Sequence, residues 1–212
     1  FMKKLVIAMT MALLANAGFA LELQGVQLDD AAKVGGSELQ LNGAGVRSAG
    51  LGREVYVAGL YLQGRSQNAE KTLASKQPKR LVMVFNREIK SSVLHNAFRD
   101  GISLNATGAE LARLESSIAK LEQIMTAIPE AKAGDRLILD FLADGSVGLN
   151  YKGQALDSVP GPDFGKAMLR IWLGDVPVAD ELKNALLAGA KYGPKALKRK
   201  SAFDDVFDGM SP

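Results

Sequence analysis

Few side chains in this chain are equipped for chemistry, and counting them removes most reaction classes. There is no cysteine and a single histidine, His95, in 212 residues. That excludes disulfides, thiolate metal sites, iron–sulfur clusters and cysteine nucleophiles, and it leaves no histidine pair for a metal. Neither a metal nor a cofactor is expected. A Ser-His-Asp triad would have to draw on His95, in the middle of a predicted helix, and no Gly-x-Ser-x-Gly segment supplies the nucleophile. Gly43, Gly45 and Gly50 have the look of a phosphate loop, yet Ser48 stands in the third glycine place and no Lys-Ser/Thr pair follows. Glu54, Glu88, Asp100, Asp140 and Asp144 are scattered, with no spacing that nominates a carboxylate couple or an oxygen-ligand metal loop. What remains is Asn42-Gly43-Ala44-Gly45-Val46-Arg47, an arginine read as presented on a glycine-rich turn, just ahead of an apolar segment that begins at Tyr56.

The elements that must position Arg47 follow from hydrophobic period. Residues 38–42 alternate, the glycines at 43 and 45 interrupt, and residues 53–63 are dense in β-branched and aromatic side chains, so two strands joined by a glycine-bearing turn are expected. Residues 80–85 (RLVMVF) read as a strand buried on both faces. Val93, Leu94, Ala97 and Phe98 recur at helical spacing over 90–100, with Ser91 or Ser92 as N-cap and Gly101 beyond the end. Thr107-Gly108-Ala109-Glu110 is a capping box. It opens a helix whose stripe of Leu111, Leu114, Ile118, Leu121, Met125 and Ile128 must be buried, with Pro129 as its stop. Gly134-Asp135, Asp144-Gly145 and Lys152-Gly153 delimit a three-stranded antiparallel meander. Asp163 is placed to cap a helix carrying Phe164, Met168, Ile171 and Trp172 that stops at Gly174, and a last helix spans 179–188. Two groups of strands separated by helices, with hairpins rather than βαβ units, give an α+β fold with a mainly antiparallel sheet and helices on one face.

The ends of the chain carry different signals. Lys3 and Lys4, an apolar run over 5–14 and small residues at Ala15, Ala17, Gly18 and Ala20 make residues 1–20 read as a secretory signal. Cleavage after Ala17 or after Ala20 satisfies the small-residue rule equally. The expected mature protein is exported, periplasmic in a Gram-negative source, with no transmembrane segment. The domain is expected over 21–190, followed by a charged, partly disordered tail over 191–212, basic then acidic. The net charge of +3 is too small to predict a nucleic-acid partner, and residues 1–20 contribute two of its lysines and no acid. Basic residues are not interleaved with aromatics into a stacking surface either.

Three segments taken in order, 41–47 (LNGAGVR), 54–63 (EVYVAGLYLQ) and 168–188 (MLRIWLGDVPVADELKNALLA), resemble the chalcone isomerase family, most closely its bacterial exported branch. The resemblance implies an open-faced β-sandwich, a long antiparallel sheet covered by helices. In the family's enzymes an arginine on this segment binds a phenolate that attacks an enone, while a threonine and a tyrosine polarise the ketone. The arginine matches Arg47. The threonine's place holds Tyr56, the tyrosine's falls near the apolar Leu94, and a second polar contact is replaced by Ile171.

Those departures favour binding over catalysis. A guanidinium offers a planar fork to two carboxylate oxygens, and a phenol can donate one more bond to the same anion. Arg47 and Tyr56 are therefore the candidate ligand-binding residues, and the family's fatty-acid-binding members imply such a pair at the mouth of an apolar cleft. Leu60, Leu62, Met83, Phe85, Leu94, Phe98, Met168 and Trp172 are its candidate lining. The expected partner is a small apolar carboxylate or phenolic ligand. Two other readings stay open: an isomerase that cyclises a chalcone-like enone, with Arg47 as its catalytic residue, and an envelope interaction module using the charged tail.

Overall fold

The structure, a computed structural model, describes residues 21–50, 52–128 and 130–188. The expected leader, the charged tail and Pro129 lie outside the described residues, but the helix that Pro129 was expected to stop already ends at Met125, which leaves Ile128 beyond it. Along the chain run β1 (Leu21–Leu23), β2 (Val26–Leu28), β3 (Ala31–Val34), β4 (Ser37–Ala49), β5 (Arg53–Leu62), α1 (Ala69–Ala74), β6 (Lys79–Phe85), β7 (Ile89–Lys90), α2 (Ser91–Leu104), α3 (Gly108–Met125), β8 (Glu130–Ala131), β9 (Arg136–Phe141), β10 (Val147–Tyr151), β11 (Gln154–Val159), α4 (Phe164–Leu173) and α5 (Asp180–Leu187).

Seven strands form one antiparallel sheet in the order β11-β10-β9-β6-β5-β4-β3. This is the α+β, mainly antiparallel architecture expected from the sequence. Alternation sends Tyr56, Ala58, Leu60, Leu81, Met83, Phe85, Leu137 and Leu139 to one face, where α2, α3, α4 and α5 cover them. The opposite face carries Leu39, Leu41, Ala44, Val57, Tyr61, Val82 and Val84 against residues of β1, β2 and β3. Central β6 faces apolar neighbours on both sides, which explains its unbroken hydrophobic run.

Several local expectations need correction. The glycines at 43 and 45 do not form a turn; they lie inside the 13-residue strand β4, and the turn is made by Gly50 and Gly52 at φ +54° and +83°. A Cβ on Gly43 would stand 2.2 Å from the Ala185 carbonyl oxygen, and one on Gly45 would stand 2.6 Å from the Ala185 Cβ. Their role is to let α5 lie directly on the sheet. Helix α2 runs through Gly101 to Leu104, and no side chain caps its start: the Ser91 hydroxyl donates instead to the Met125 carbonyl at 2.8 Å, tying α2 to α3. Thr107 caps α3 as expected, accepting from the Glu110 amide at 3.2 Å. The Glu110 carboxylate turns away to Arg170 of α4, at 2.8 and 3.0 Å. Asp163 precedes α4 without a side-chain cap bond. Strands β1, β2 and β3, helix α1 and the short β7–β8 pair were not anticipated.

Candidate functional site

Arg47 sits in β4 and not on a turn, and it is 1% exposed. It is directly opposite Tyr56 of β5 in the antiparallel register. That register depends on a bulge. Near the turn Ser48 faces Glu54; continued without a break, the pairing would set Arg47 against Val55 and leave Tyr56 on the other face of the sheet. Val55 is instead passed over, so guanidinium and phenol project from neighbouring strands to the same helix-covered face.

Tyr56, 3% exposed, is fixed on two sides. Its ring meets Phe85 edge-on, with centroids 6.4 Å apart, and its hydroxyl accepts a 3.0 Å bond from the Trp172 indole N–H. A hydroxyl that accepts from Trp172 keeps its own proton to donate. Burial pushes this phenol up to about 12, against the lowering influence of Arg47 and of the Trp172 bond. Tyr56 is therefore a donor throughout the neutral range.

Beside the phenol is a slot walled by Met83, Leu94, Phe98, Ile171, Trp172 and Val178, with Phe98 and Trp172 packed edge to face at 6.0 Å. Four of the eight expected lining residues, Met83, Leu94, Phe98 and Trp172, are brought together here; Leu60, Leu62, Phe85 and Met168 are buried in the surrounding core. Ile171 and Leu94, the two apolar replacements, face the same slot as Tyr56. The volume open to the centre of a water molecule is only ≈ 10 Å³, about the minimum for one water. As it stands the slot is narrow.

Residues 174–179 connect α4 to α5 and contribute one residue to the slot. Val178 lines the slot, and its amide donates to the Ile171 carbonyl at 2.7 Å. Two residues earlier, Asn105 fastens this segment to α2: its Nδ2 donates to the Val176 carbonyl at 2.8 Å, and its Oδ1 accepts from the Val176 amide at 3.0 Å. Gly174 makes room for it, since a Cβ there would lie 2.3 Å from Oδ1. His95 is not in the slot. It is 6% exposed with Glu122 3.9 Å from Nε2.

The Trp172–Tyr56 bond is not among the expectations from the sequence, which placed Trp172 only in the apolar lining of the cleft. The usable signal was that a buried indole N–H needs an acceptor.

The raised Tyr56 pKa has a stability consequence. The folded chain holds the phenolic proton to about pH 12 while the unfolded chain releases it near 10. The contribution is complete below pH 10 and is lost as pH rises to 12, about 3 kcal/mol in all. Tyr56→Phe should therefore unfold more easily at neutral pH, because Trp172 loses its acceptor, yet lose less further stability on the alkaline side than the parent. Urea unfolding across pH 8 to 12 checks it; equal alkaline slopes would contradict the assignment.

A model of the chalcone isomerase-like family matches residues 20–188. No curated protein matches the chain in sequence. Among solved structures, the crystal structure of a fatty-acid binding protein of Arabidopsis thaliana superposes with a TM-score of 0.63 at 14% identity, covering 80% of this chain and 96% of that one. At that identity the likeness is one of fold.

Proposed function

Since the chain belongs to the chalcone isomerase-like family, we propose that it binds a small apolar anion such as a fatty acid, with Arg47 and Tyr56 holding the carboxylate and no reaction following. The observation that carries this reading is the buried guanidinium set opposite a phenol whose proton is left to donate. Two donors of this kind, sheltered from water, suit a carboxylate at the head of an apolar slot. The fatty-acid binding protein of the same fold supports the ligand class. Catalysis of an enone cyclisation is less well supported, because Leu94 and Ile171 offer no polar group to a ketone. From Lys3, Lys4, the apolar run over 5–14 and the small residues after it we also propose that the protein is exported, periplasmic in a Gram-negative source, with its leader cleaved after Ala17 or Ala20.

The test is to express the full chain with its leader, extract the purified protein with organic solvent and identify bound acids by mass spectrometry. Delipidated protein is then titrated with palmitate and, separately, with a chalcone. Saturable palmitate binding without chalcone turnover is expected. Chalcone consumption above the buffer rate, abolished by Arg47→Gln, would assign an isomerase instead.

A further inference from the structure

A second and roomier cavity lies away from this slot. A cleft of ≈ 400 Å³ lies at the opposite end of the helix-covered face, between the end of α1, the start of β6, the β9–β10 turn and the first turn of α4. Lys79 and Phe85 are the two ends of β6, and Phe85 pairs with Tyr56, so about 20 Å of strand separates the two places. Leu73, Phe141 and Leu169 supply an apolar wall, while Lys76, Lys79 and Lys166 supply positive charge.

Lys79 is the unusual member. It continues the inward row of Leu81, Met83 and Phe85, and is 7% exposed. Its ammonium donates to the carbonyls of Ser75 at 2.6 Å and Gln77 at 2.9 Å, both uncharged, which accounts for two of its three protons. Burial lowers its pKa. None of the three lysines is ion-paired with a carboxylate of the described residues. Two aspartates border the cleft. Asp144 is committed to the Ser146 hydroxyl and amide, at 2.6 and 3.0 Å, which hold its carboxyl below the usual range. Asp144 thus stays ionised, and with Asp163 it sets two negative charges against three lysines. A sheltered ammonium bonded only to uncharged carbonyls, in a cleft whose lysines outnumber its aspartates and which has an apolar wall, is an electrostatic arrangement that an anion completes.

We propose that this cleft is a second binding site, which takes a small phosphate monoester with an apolar body: the dianionic head on Lys79, Lys76 and Lys166, and the body against Leu73, Phe141 and Leu169. Lysines act on phosphate as separate point charges, and three spaced ammoniums suit a dianion better than the single charge of a carboxylate. The site does not depend on the Arg47–Tyr56 reading.

Phenyl phosphate titrated into the ¹⁵N-labelled full chain tests it. Saturable amide shifts are expected at Lys76, Ala143, Gly145 and Lys166. Lys79→Met should weaken binding at least about tenfold, and Arg47→Gln should leave it unchanged. Because Lys79→Met removes a buried group, the exposed pair Lys76→Gln with Lys166→Gln serves as a second variant, with a loss of several-fold expected. Benzoate should bind more weakly, and inorganic phosphate and phenol more weakly still. Absence of saturation at several millimolar, unchanged affinity in the lysine variants, equal binding of benzoate, or equal binding of either fragment would each overturn the proposal.

Discussion

Arg47→Gln is expected to reduce palmitate affinity by one to two powers of ten, the usual range for removing a charge-assisted bond from a sheltered site. The chain contains one tryptophan, Trp172, and its indole is bonded to the Tyr56 hydroxyl, so its emission reports this location and no other. Arg47→Lys should recover only part of the loss, because an ammonium keeps the charge but not the planar fork. The control is the ligand: cetyl alcohol, with the same tail and no carboxylate, should bind the parent weakly and be insensitive to either substitution. If the alcohol binds as tightly as the acid, the guanidinium is not holding a head group.

Gly43→Ala is expected to destabilise the fold by about 3 kcal/mol or more, lowering the melting temperature by about 6 to 12 °C. The added Cβ would stand 2.2 Å from the Ala185 carbonyl oxygen and 2.5 Å from that of Leu186. Both are backbone atoms of the last turn of α5, so no rotamer change relieves the overlap. The helix is also held down there, since Asn42 Nδ2 donates to the Leu186 carbonyl at 2.8 Å. Gly45→Ala offers the contrast, because its nearest contact is the Ala185 Cβ, a removable atom. Ala185→Gly should therefore restore Gly45→Ala in large part and leave Gly43→Ala unrepaired. Thermal unfolding of the four variants decides it, and equal rescue of both would contradict the packing described here.

These two glycines also show where sequence reading stopped. Glycine was taken as a signal for a turn, which is correct at Gly50, Gly52 and Gly145, all at positive φ. At 43 and 45 the reason for glycine is the absence of a side chain, and the partner that requires it, α5, is some 140 residues away. Features with a local cause were legible: the Thr107 cap, the Asp144-Gly145 hairpin, the apolar run of β6 and the amphipathic stripe of α3. The pairing of Arg47 with Tyr56 had no local cause. It turns on one residue, Val55, being passed over in the β4–β5 ladder, and nothing in the residue types around the turn announces that slip. Gly101 misled in the same way; it is buried inside α2, where the helix packs, and does not end it.

The clasp between Asn105 and Val176 lies at the surface, where water can stand in for each of its two bonds at a net cost of about 1 kcal/mol apiece. Unfastening it requires neither α2 nor α4 to unwind. The clasp adjoins Leu104 and includes Val176, the two large apolar side chains that the described surface leaves in water, so loosening it would extend an apolar area that solvent already meets.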